Sequence, residues 1–68
     1  MSVHRARPAH LVAEEAFDIA WRFLKEGVSE PLPVQSFLAE VIDREIAMGD
    51  RNRIRVANKA IMAYEANR

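Results

Sequence analysis

The sequence predicts an all-α protein: a compact three-helix domain with helices 2 and 3 joined by a tight Gly-Asp turn. Three observations predict it. Apolar residues recur at the three- and four-residue spacing of a helix, and no run alternates with the period of two that a half-buried strand needs. Pro8, Gly27, Pro31, Pro33 and Gly49 cut the chain into stretches of helical length. Half of the residues are hydrophobic and none is cysteine, so folding rests on apolar burial, without disulfides or thiolate metal sites.

In chain order, residues 1–7 lack an apolar period and read as a loose basic tail. Pro8 suits the first helical position, where a missing N–H loses nothing. Helix 1 is expected from Pro8 to Glu26, with Gly27 as a left-handed C-terminal cap. Val28 to Leu32 is expected as a connector, because Pro31 and Pro33 push Glu30 and Leu32 out of helical geometry. Helix 2 then runs from Pro33 and stops before Gly49. Asp50 is the expected N-cap of helix 3, which starts at Arg51.

Helical wheels at about 100° per residue assign the inner faces. Helix 2 presents Val34, Phe37, Leu38, Val41, Ile42 and Met48, with Ile46 at the edge. Helix 3 presents Ile54, Ala57, Ala60, Ile61 and Tyr64. Helix 1 is apolar over a wider arc: Val12, Ala16, Ile19 and Phe23 face one way, and Phe17, Trp21, Leu24 and Val28 continue round the cylinder. Its outer side carries Glu14, Glu15, Asp18, Arg22 and Glu26, a solvated face with Asp18 and Arg22 at i,i+4 spacing.

With 68 residues the chain forms one domain, 1–68, small enough that burial offsets chain entropy only narrowly. Without disulfides, association is the remaining source of burial, so a homo-oligomer or a protein partner is expected. The chain has no apolar stretch fit to span a membrane, and a reducing cytoplasm suits it. Net charge is zero but unevenly spread. Residues 11–50 hold three basic and nine acidic side chains, whereas residues 51–68 hold five basic and one acidic.

The chemistry available is sparse. His4 and His10 are six apart with no carboxylate at helical ligand spacing, so no metal is expected. Ser2, Ser29 and Ser36 lack the Gly-rich elbow of a nucleophile. Gly27 and Gly49 are both accounted for as helix ends, which leaves no phosphate loop. The chain therefore reads as a non-enzyme without a cofactor.

Three features remain. Glu45 falls near the centre of helix 2's apolar face, where a carboxylate needs a partner. In the last turn it either reaches water or meets Arg53 or Tyr64 across the hairpin, with Arg53, on the apolar side of helix 3, the expected partner; a recognition role at an interface is the alternative. Phe17 and Trp21 edge the wide arc of helix 1 and are either core or the anchor of a protein contact. Arg51, Arg55 and Lys59, at i, i+4 and i+8, form a basic ridge opposite the Ile54–Ala57–Ile61 stripe. That ridge reads first as the wet side of an amphipathic helix. The alternative is a DNA-binding regulator that places helix 3 in a groove, although a sequence pI of 6.7 and an acidic body speak against it.

The segment AEVIDREIAMGDRNRIRVANKAIMAYE, residues 39–65, resembles the C-terminal part of certain very short, uncharacterised bacterial helical proteins. The likeness covers under half of the chain and contains no motif with known chemistry. It implies no activity and carries over no functional residue.

Overall fold

In a computed structural model, which describes residues 8–67, three helices pack against one another: α1 (Ala9–Leu24), α2 (Pro31–Ala47) and α3 (Arg53–Ala66). No strand occurs among the described residues. The tail expected over residues 1–7, with His4, lies outside them.

The helix ends differ from the sequence expectation in ways that hydrogen bonding explains. Pro8 stands just before α1 with φ −57° and ψ 144°, and its carbonyl accepts from Leu11 and Val12 N–H at 3.0 and 3.1 Å. At the far end α1 tightens into a 3-10 turn, Lys25–Gly27, and Val28 N–H bonds to the Lys25 carbonyl at 3.2 Å. The tight turn satisfies late carbonyls by itself, so Gly27 needs no left-handed conformation and does not adopt one.

Helix α2 begins at Pro31, two residues earlier than expected, with Glu30 extended before it. The expectation for Glu30 holds; that for Leu32 does not. Both prolines sit in the first turn, where N–H groups have no intrahelical acceptor, so they start the helix rather than delay it.

At its C-terminus α2 closes with Gly49 at φ +104°, the left-handed residue of the joint. Gly49 N–H bonds to Ile46 O at 2.9 Å, and Asp50 N–H reaches back to Glu45 O at 3.1 Å. That pair of bonds is the Schellman arrangement. The joint is longer than a Gly-Asp pair and spans Met48 to Asn52. Asn52, not Asp50, caps α3, accepting from Arg55 N–H at 3.0 Å. Asp50 is instead drawn into a side-chain turn, its Oδ1 accepting from Asn52 N–H at 2.9 Å.

Helix direction follows from two contacts. Arg53, at the start of α3, pairs with Glu15 in the first half of α1. Tyr64, near the end of α3, lines a crevice with Gly27 and Val34, beside the α1–α2 connector. Helices α1 and α3 therefore run the same way, with α2 antiparallel to both.

The buried residues are Val12, Ala16, Ala20 and Leu24 of α1, Val34, Leu38, Val41 and Ile42 of α2, and Val56, Ala57, Ala60 and Ile61 of α3. No described polar or charged residue is buried. The Phe37 and Tyr64 rings meet at 6.2 Å and 60°, a tilted pair at the α2–α3 seam. Three expected inner residues point outward: Phe23 is 65% exposed, Met48 72% and Ile54 52%.

The reason is geometric for Phe23. The α1 row advances by four residues per step, which rotates it about 40° each time. By Leu24 the row has turned about 100° away from the direction of Phe23. In α3 the buried residues Val56, Ala57, Ala60 and Ile61 centre the inner face between Val56 and Ala57, and Ile54 is left at the rim.

Candidate protein-binding surface

The basic ridge is the first candidate, and the fold takes it apart. Arg51 lies in the joint rather than on the helix. Its Nη1 donates to Ile46 O at 2.8 Å and to Asp50 O at 3.1 Å. It thereby satisfies a terminal carbonyl of α2 and places a cation at the negative end of that helix. Arg55 grips Asp50 with both arms of its fork, Nε to Oδ2 at 2.9 Å and Nη2 to Oδ1 at 3.1 Å. That hydrogen-bonded guanidinium, followed by the Asn52 N–H, holds the Asp50 carboxyl down at about 2. The same contact raises the pKa of Arg55.

Lys59 Nζ meets Glu45 Oε1 at 3.1 Å, where the Glu45 side chain is 14% exposed and Lys59 48%. This corrects the expected pairing of Glu45 with Arg53. Arg53 turns to the α1 side and meets Glu15 at 3.2 Å. With the cap at Asn52, Arg53 is the first residue of α3 and faces α1, while Lys59 comes round to the α2 flank. All three ridge cations therefore hold a carboxylate or a carbonyl of their own chain. Glu45 is a partnered residue of the α2–α3 seam.

The second candidate lies between α1 and α2, where Phe17 is found. A groove of about 570 Å³ opens there, with a floor of Ala13, Phe17, Ala39 and Ile42 and a rim of Glu14, Glu15, Asp18 and Asp43. Phe17 and Trp21 are both half-buried and pack against the core, so neither is a free-standing aromatic. Trp21 follows Phe17 by one helical turn and does not line the groove. Asp18 pairs with Arg22 at 2.9 Å on an open surface, and Glu15 is engaged with Arg53. Glu14 and Asp43 make no ion pair among the described residues.

Sequence reasoning placed Glu14 and Asp18 on a solvated face and gave Asp43 no role. Their convergence depends on α2 lying against the Phe17 side of α1. The available signal was Ala39, a small residue facing the polar side of α2 one turn before Asp43.

A metal centre has no support: among the described residues no three His, Cys, Asp or Glu side chains cluster to hold an ion. His10 stands exposed at the start of α1. No described helix is long and apolar enough to cross a membrane. The chain matches no protein-family model, no curated protein and no solved structure.

Proposed function

We propose that this chain is a non-catalytic protein-binding module, acting by association with a second copy of itself or as a small accessory subunit. One observation carries the reading. Ala16, Ala20, Ala57 and Ala60 are fully buried, while Phe23, Leu32, Met48, Ile54 and Met62 are each 52–74% exposed. Four alanines occupy interior positions while five larger apolar side chains are left mostly in water. Fully burying an exposed side chain of this kind contributes about 1.5–3 kcal/mol, and these, already partly covered, contribute proportionately less. For a domain with so little interior, that surface is the natural source of further burial. A cytoplasmic setting is part of the proposal, since a cysteine-free chain gains nothing from an oxidising compartment.

Binding of nucleic acid through α3 is the weaker reading, because Arg51, Arg55 and Lys59 would first have to release Ile46, Asp50 and Glu45. Mass by light scattering across a dilution series, paired with capture from native lysate with and without nuclease, tests the proposal. A concentration-dependent mass, or a protein retained after nuclease treatment, is expected. A strict monomer at high micromolar concentration that retains no protein overturns it. Capture abolished by nuclease would favour the nucleic-acid reading instead.

A further inference from the structure

The groove between α1 and α2 narrows the kind of partner, and the inference rests on the association reading above. We propose that this groove receives a cationic amphipathic helix from another protein, its apolar side on Ala13, Phe17 and Ala39 and its lysines or arginines on Glu14 and Asp43.

The shape comes first. Ala13 and Ala39 leave the groove open on either side of Phe17, and about 570 Å³ holds a few side chains rather than a whole helix. That is the footprint of anchors spaced i, i+3 or i+4 along a helix laid across the top. Charge then selects the sign. The floor is apolar and the ionisable groups of the rim are all acidic; among the described residues Glu14 and Asp43 have no cation of their own. An occupant with basic residues flanking an apolar stripe satisfies both, whereas nucleic acid meets like charge.

The same charges argue against a second copy. A two-fold contact would set the acidic rim against itself. A head-to-tail contact with α3 would require Arg55 and Lys59 to abandon Asp50 and Glu45, 2.9 and 3.1 Å away. Contact through α3 is thus disfavoured, and a different chain that brings its own cations fits the groove without that loss.

The test uses the full chain and a labelled 14-residue leucine–lysine peptide designed as an amphipathic helix, followed by fluorescence anisotropy. A scrambled peptide of equal charge and a leucine–glutamate peptide serve as controls. Expected results are binding of the leucine–lysine helix that weakens with salt, at least tenfold weaker binding of the scrambled peptide, and no binding of the acidic one. Glu14→Lys with Asp43→Lys should weaken binding at least tenfold, and Glu65→Lys, on the exposed side of α3, should not. Both reversed positions are exposed and make no ion pair among the described residues, so an unchanged circular dichroism spectrum and melting temperature certify the fold.

Equal binding of the scrambled peptide, or binding indifferent to the double reversal, overturns the proposal. So does a dimer that dissociates on that reversal, since a second copy would then be the occupant. Association that persists unchanged in the reversed protein removes the groove assignment and leaves the association reading standing. A chain that is monomeric and captures nothing removes the association reading itself.

Discussion

Replacing Lys59 with methionine isolates the contact that holds Glu45. The substitution keeps most of the side chain's length and removes its charge. Exposed ion pairs contribute about 0.2–1 kcal/mol, and stripping a buried ion of its partner costs about 3–5 kcal/mol. The Glu45 carboxylate is well covered and Lys59 half open, so the pair falls between these limits. Lys59→Met is expected to destabilise the fold by about 1–2 kcal/mol. In a domain this small, that lowers the melting temperature by roughly 5–15 °C.

Glu45→Leu should run the other way. It completes the apolar face of α2 between Leu38 and Val41, and stability is expected to be unchanged or up to about 1 kcal/mol higher. In the Glu45→Leu background, Lys59→Met should then cost less than about 0.3 kcal/mol. Urea unfolding followed by far-ultraviolet circular dichroism and by Trp21 fluorescence measures all four corners of the cycle. An equal cost in both backgrounds would refute the reasoning. Coupling of Glu45 to Arg53→Gln instead would restore the pairing that the sequence suggests.

Gly49→Ala meets no atom within 4 Å, so its expected loss of about 1–2 kcal/mol is conformational alone, set by φ +104° and read from the urea midpoint. Asn52→Ala removes the α3 cap and should cost about 0.5–2 kcal/mol, while Asn52→Asp retains it. Asp50 has a folded pKa depressed from 3.8 to about 2, so the stability it supplies is complete above 3.8 and is lost as pH falls through 2. Wild-type urea midpoints should decline across that window. Asp50→Asn should be less stable at neutral pH and decline less steeply; an identical slope in the two proteins would remove Asp50 from the acid transition.

The all-helical class, the number of helices and most of the interior were legible because periodicity and proline or glycine punctuation are local signals. Val34, Leu38, Val41, Ile42, Ala57, Ala60 and Ile61 could be read directly. The misses were of two kinds. Pro31, Pro33, Gly27 and Asp50 each had two locally acceptable roles, and hydrogen bonding across the turn decided between them. Phe23, Ile54 and Val56 depended on how helices cross, which a wheel with one fixed inner face cannot express. For the candidate surface, the sequence supplied the residues but not their neighbours. Glu45 needed a cation, yet whether Arg53 or Lys59 reached it depended on where α3 begins. The groove arose only when Asp43 and Ala39 of α2 came beside Phe17.

The shared direction of α1 and α3 has a practical consequence for building with this domain. The described chain enters at one end of the bundle, at Pro8, and leaves at the other, at Asn67, separated by the length of α3, 14 residues or about 21 Å. In a tandem fusion each copy would be entered at one end of its bundle and left at the other, so the chain need not fold back between copies. A circular permutant, by contrast, would need a linker of roughly six or more residues to run back along the bundle.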